Sequence, residues 1–535
     1  MTAATPLLSR RSVVQGQMEV NYNDAAAVGV NDGILVMNPM YSVEPNILTR
    51  DLMRNDLSPL AHIIGRKLAK MRFKTEIRGN GKEQSGLLSD VPLLTRLFRA
   101  CGYAMTLLPA VDINGVYGIG DQPNEVTWVR SSGASATGTV TYTTQPANGD
   151  TVVINGRTYT FRTVLTNVNG YVFIGATLAA TLINLRDAIN LAGLPGSQYA
   201  NLTTANLDVT ATATGTVLTL TSITHSAAAN ADTLAVTGVA GTASGATLSG
   251  GSNLAATNDV VSYLIECTVA GASGVAKLKV TADPASESLA EVVVTSGSPF
   301  TVGTLGLTLT PTWTGNLTLG QAFQVWLLPK GVRLDPVSDN FESMNLVLNK
   351  DGVLHKMPGS FGTFQVTAEA GQFASIDWEF TGTYVAPVDS VLARPMFEKT
   401  LPAQVELARL RVDAFYAIVA KFTFDQGNDI QIRPDVSSSD GYIGTRIVAR
   451  MPKGGIDPES ELVANQDFWS KFTVSKRMPL QMRVGTISGN TVWFMAPATQ
   501  YNGLTYADRN QIVTYDAGLH FSRVNGNDEI CIFFC

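Results

Sequence analysis

The chain has 535 residues, 45% of them hydrophobic and 15% charged, with a formal net charge of −6. That supplies core material for about three or four ordinary domains, and the net charge argues against a protein that grips nucleic acid, which needs clustered Lys and Arg. Forty-eight glycines, together with abundant Thr, Ala and Val and few long helical patterns, point to a mainly β architecture. Cys101, Cys267, Cys531 and Cys535 show neither metal-ligand spacing nor a disulfide framework, so a reducing compartment is the expected place of synthesis.

Near the N-terminus, SRRSVVQ (9–15) superficially resembles a twin-arginine signal. The GQMEVNYND that follows is too polar for the apolar stretch such a signal needs, and no run is long and apolar enough to span a membrane. Residues 38–79 read as strand, proline, long charged loop and strand, with Phe73, Thr75 and Ile77 on one face. DVPLLTRLFRACG (90–102) reads as a short helix.

The composition then changes: 14 of residues 131–329 are charged, against 68 in the rest of the chain. This low-charge stretch reads as an insertion. Its first part, 131–225, is a small α+β module with a hairpin turn at Asn155-Gly156, a strand pair around Asn169-Gly170 and strands at 207–213 and 217–222. A helix over 178–191 places Leu178, Leu182, Leu185 and Ile189 on one face. A Gly/Ala/Thr-rich link at 225–252 leads to a β-sandwich-like module, 226–329, with strands at 260–269, 275–281, 291–295 and 305–310.

Beyond the insert come a hairpin at Asp351-Gly352 and strands at 362–368 and 375–384. Strands at 414–425, 429–433 and 442–451 and a helix at 466–472 follow, then strand, loop and strand over 480–523. The expected organisation is two β-barrels or sandwiches, each with a short helix: residues 1–130 plus 330–395, and residues 396–535. The two hold the same inventory in opposite order and join near 394–404.

No catalytic, cofactor-binding or metal-binding constellation is legible. His62, His225, His355 and His520 are scattered without carboxylates or thiols at ligand spacing. GNGKEQSG (79–86) lacks the phosphate-loop spacing and reads as a turn. Asp508, Arg509 and Asp516 are better explained as ion-pairing groups than as acid and base, and GIDPESEL (455–462) as a proline-primed helix start with acids favouring the helix dipole.

The segment GNTVWFMAPATQYNGLTYADRNQIVTYDAGLHFSR (489–523), followed by GNDEICIFF, reads as two strands joined by a long, charged loop that starts at Pro497. Together with the loop, Gly-Arg-Lys and strand passage of residues 38–79, it resembles the tail tube, or major tail, proteins of tailed siphophage-like bacteriophages. The resemblance covers about 330 residues and skips the insert. It implies a structural virion protein, not an enzyme and without a cofactor, made in the host cytoplasm and not anchored in a membrane. Such a protomer polymerises into stacked rings that form the conduit for DNA, and mild acidity suits a channel through which DNA slides. Two barrels per chain imply a ring of three chains with pseudo-sixfold symmetry, a true hexamer being the alternative. Tape measure protein and tail terminator or tip proteins are the other partners implied. The loops at 46–62 and 500–510 then become contacts between subunits or rings, with Arg50, Arg54, Asp56, His62, Tyr501, Asp508 and Arg509 as the candidates. The other reading is an adhesive or capsid-decorating β protein whose working end is the insert.

Overall fold

The computed structural model describes residues 7–50, 52–53, 58, 60–82, 88–120, 122–123, 125–132, 135–223, 227–251, 254, 257–406 and 408–535. Its core is built from two units that use the same elements. In the first, β1 (Ser12–Met18), β2 (Gly33–Ile34), β3 (Met37–Leu48), β4 (Ile63–Glu76) and α1 (Leu94–Ala100) precede the insert, whose stem is β5 (Tyr103–Leu108) and β6 (Gly331–Pro336). Then come β7 (Met344–Lys350), β8 (Val353–Glu369), β9 (Ser375–Thr383) and β10 (Val388–Asp389). The second unit begins with β11 (Arg409–Val412), β12 (Phe415–Tyr416), β13 (Lys421–Asp425), β14 (Asn428–Pro434), β15 (Tyr442–Arg450) and β16 (Lys453–Ile456). It continues with α2 (Phe468–Thr473), β17 (Met478–Val484), β18 (Val492–Arg509), β19 (Ile512–Phe521) and β20 (Cys531–Phe534).

Apart from β6, which pairs β5 and β20 without a counterpart, the pairings within the two units correspond. β1 pairs β2 and β7, as β11 pairs β12 and β17. The hairpin β3–β4 lies beside β9, as the hairpin β13/β14–β15/β16 lies beside β19. β8 pairs β7, β9 and β10, as β18 pairs β17, β19 and β20. Even the irregularities recur. The register of β7–β8 slips between Met344↔Ser360 and Leu346↔Met357, and that of β17–β18 between Met478↔Thr499 and Leu480↔Ala496. Pro358 and Pro497 occupy the same place in the two bulges, where a missing N–H is tolerated.

The units therefore run in the same order, not in opposite order. The segment 489–523 corresponds to β8–β9 rather than to β3–β4. Where a barrel or sandwich per unit was expected, no closed barrel forms among the described residues: the core strands form open antiparallel sheets that share members. The loop read at 500–510 is instead the far half of the 18-residue strand β18, turning tightly at Asn510 and Gln511, both left-handed, into β19.

Alternation explains the sheet. Met71, Phe73 and Thr75 of β4, Ile376, Trp378 and Phe380 of β9, and Phe364, Val366 and Ala368 of β8 point into one core. Phe422 and Phe424 of β13 and Tyr515, Ala517, Leu519 and Phe521 of β19 continue it across the second unit. Burying such side chains is worth about 1.5–3 kcal/mol each before conformational entropy is subtracted.

The insert is nested rather than tandem. Strands Asp112–Ile119 and Val126–Ser132, placed by sequence in the first barrel, pair with Ala322–Leu328 and Leu307–Trp313 of the sandwich. The link expected at 225–252 carries strands Leu234–Val236 and Gly241–Ala243, which close the two sheets of the α+β module. That module has a core of its own around helix Leu178–Asn190, capped by Thr177. The sandwich, by contrast, docks on the second unit. Trp326 and Leu328 pack with Trp493, Met495 and Phe533, and Trp326 Nε1 donates to Gln481 Oε1 at 2.8 Å. Arg409 pairs with the buried Asp283, and Trp493 Nε1 donates to Asp259 Oδ1 at 2.9 Å.

Candidate assembly surfaces

The two units are joined by direct pairing of β8 with β13, from Gln365↔Asp425 to Glu369↔Lys421. Val366 and Phe424 are fully buried there, and the Phe364 and Phe424 rings lie 5.9 Å apart. The outer face of this merged sheet is polar. One cross-strand row runs Lys74, Asp377, Gln365, Asp425, Lys453, His520 and Gln500, each residue opposite the next. Lys74 and Asp377 approach to 3.5 Å, Arg72 and Glu379 to 2.9 Å, and Lys453 and Asp425 to 3.8 Å. Acidic and basic side chains thus pair on both sides of the joint, and an open depression of about 520 Å³ lies over Arg72, Lys74, Gln365, Asp377, Glu379 and Asp425.

Two edges of this sheet lack a second neighbour among the described residues. β3 pairs only with β4, and residues 500–509 of β18 pair only with β19. These edges correspond to the two sides of the internal joint. β18 residues 505–509 match β8 residues 365–369, because Thr514 meets Glu459 as Ser375 meets Glu76. In the same register Tyr41 matches Phe424 and Tyr506 matches Val366. Val366 is sealed by β13, whereas Tyr506 is 65% exposed. An open row of backbone N–H and C=O groups beside exposed apolar side chains is a template for pairing with another chain.

The β3–β4 hairpin projects beyond β9 as an arm. Met40, Val43, Ile47, Leu48, Ile63 and Ile64 are all exposed on it. Arg50 and His62 lie at its tip, both exposed, while Arg54 and Asp56 fall outside the described residues. At the arm's root, burial pushes the Tyr41 phenol up to about 12, and its ring lies against His355 at 4.5 Å.

The remaining candidates are engaged within their own chain. Tyr501 is buried in the second unit's core against Phe468. Asp508 accepts from the Gln511 N–H at 3.1 Å and shapes the β18–β19 turn. Arg509 is paired within its own chain, to Asp457 at 3.0 Å and Glu459 at 2.7 Å. Those pairs brace the free edge and leave Arg509 no unpaired charge to offer a neighbour.

Strands at 362–368 and 414–425 are legible in the sequence, but their pairing across the joint is not. The signal that bears on it is the repeated bulge proline, Pro358 in MPG and Pro497 in APA, which aligns the two long strands. Close to α2, Asp413 accepts from Lys476 at 2.9 Å and meets Lys471 at 3.2 Å. Burial works against its charge, but the two lysines hold the carboxyl below its ordinary value. No group of three or more potential metal ligands occurs among the described residues, and none of their helices is long and apolar enough to cross a membrane. No protein-family model and no curated protein matches the chain.

Proposed function

We propose that the chain is a tail tube protomer of a tailed bacteriophage, a structural virion protein that assembles into rings whose stacking makes the conduit for DNA. The observation that carries this reading is the β8–β13 joint. One chain already contains two units fused edge to edge into one sheet, and it leaves open, at β18 and β3, the equivalents of the two edges used in that fusion. Repeating the joint between chains is a head-to-tail contact, and a head-to-tail contact that closes gives a cyclic ring. Three chains supply six units.

The mixed-sign polar row supports a channel-lining role for the outer sheet face. Paired charges offer a passing polyanion no run of free cations, so DNA contacts stay few and weak. Tape measure and tail terminator or tip proteins are the partners that belong to such a tube. The insert, docked on the second unit through Trp326, Trp493 and Asp283, belongs to the exterior in this reading.

The test is negative-stain microscopy of the purified protein over a concentration series. Rings or hollow cylinders are expected. Isolated particles at every concentration would contradict the proposal and favour a decorating or adhesive protein.

A further inference from the structure

Within a single chain, the β14–β15 hairpin lies across the first unit. Tyr442 OH donates to Lys67 O at 2.6 Å, Thr445 Oγ1 to Gly359 O at 3.3 Å, and Asn428 Nδ2 to Cys101 O at 2.7 Å and Gly362 O at 2.9 Å. Ile447 is only 5% exposed and packs at Gly102, where a Cβ would lie 3.3 Å from its Cδ1. The β3–β4 arm is the counterpart of this hairpin in the first unit. Both carry the same register slip, between Pro45 and Ile47 on one and between Asp429 and Ile430 on the other. That shared irregularity equates Ile47 with Ile430, Ile64 with Ile447 and His62 with Thr445.

The counterpart of a buried residue is exposed: Ile64 is 52% and Ile47 53% accessible. The counterpart of its seat is exposed as well. Gly102 lies two residues beyond α1 with φ 86°, and Ser475 lies two residues beyond α2 with φ 51°, both left-handed. Ser475 and the adjacent Val474 face solvent. An unoccupied seat and an unseated side chain thus exist on the same molecule, in places that the fold makes equivalent to a packed contact.

We infer that the β3–β4 arm of one copy lies across the second unit of the neighbouring copy, with Ile64 seated at Ser475 as Ile447 is seated at Gly102. This rests on the ring reading, and it names the surface by which one copy takes hold of the next. The contact is the more apolar of the two. Pro45 stands where Asn428 stands and has no side-chain amide to offer the carbonyls, while Val43, Ile47 and Ile64 supply apolar area.

The experiment uses the full chain carrying Ile64→Cys and Ser475→Cys, assembled and then treated with a short bis-maleimide; the four native cysteines are buried. Crosslinked dimers and trimers on a denaturing gel, absent from either single variant, are the expected result. Normal rings without crosslinks would overturn the arm's placement while leaving the ring reading intact, whereas absence of rings from the unmodified chain would overturn both. Ser475→Arg is the second arm of the test. It should raise the concentration needed for assembly at least about tenfold with monomer melting unchanged, because a bulky charge fills the seat. Assembly at the ordinary concentration would contradict the inference.

Discussion

Glu76 lies opposite Ser375 in the first unit, and Glu459 lies opposite Thr514 in the second. This correspondence fixes the superposition of the two units residue by residue, and it turns one chain into its own comparison structure. Wherever a side chain is buried at the joint and its counterpart is exposed at an edge, the difference marks a surface that the proposed ring would assign to another copy.

Ile447→Ala and Ile64→Ala should accordingly behave differently although the two positions are equivalent. Loss of the buried Ile447 side chain should destabilise the isolated chain by about 2–4 kcal/mol. Loss of exposed Ile64 should change monomer stability by less than about 0.5 kcal/mol and act on assembly instead. Chemical denaturation of dilute protein, compared with sedimentation at assembling concentrations, checks both. Equal monomer destabilisation would contradict the assignment.

The α+β module should be removable. Its core is self-contained, and it enters and leaves through Thr137 and Ser249, which bond each other at 2.7 and 2.9 Å. Replacing 137–249 by a short Gly/Ser bridge should leave the melting of the rest of the chain unchanged. The sandwich is different. Trp326→Ala opens a cavity against Trp493 and leaves Gln481 without its donor, which should destabilise the fold by about 3–5 kcal/mol. Thermal melts of the two variants give the comparison.

Asp413 makes a pH-dependent contribution. Its folded-state carboxyl is held below the ordinary value, so the stabilisation is present above the unfolded value of about 3.9 and is lost as pH falls through the lower, folded one. Asp413→Asn keeps a residue that tolerates the left-handed backbone at φ 60°. The variant should be less stable than the parent at pH 7, and the gap should close towards pH 3. Denaturation midpoints across that range test it, and a gap that stays constant would place the effect in packing rather than charge.

Much of the strand content is legible in the sequence because many strands bury one face, as in Met71, Phe73 and Thr75 against Lys70, Arg72 and Lys74. Asn155-Gly156 and Asp351-Gly352 identify their turns for the same local reason: the first residue of each must adopt a left-handed backbone. Residues 500–510 read as a loop because a strand at a free edge has little to bury. Tyr506, Asp508 and Arg509 show no period, and Pro497 falls at a bulge that no hydrophobic pattern announces. The order of the units is not legible for a related reason. Hairpins of similar composition look interchangeable until pairing shows which neighbour each one has. Of the candidate residues, Arg50 and His62 do lie on the exposed arm, while Tyr501 and Arg509 are engaged within their own chain. Seats such as Ser475 are invisible without the superposition, since nothing in a lone serine marks it.

The most direct measurement of the account is the native mass of isolated rings. Three chains of 57.0 kDa per ring is the predicted result, because two units per chain then give six equivalent joints, three within chains and three between them. Six chains per ring would contradict it, since the edges at β3 and β18 would not then be repeating the geometry of the β8–β13 joint.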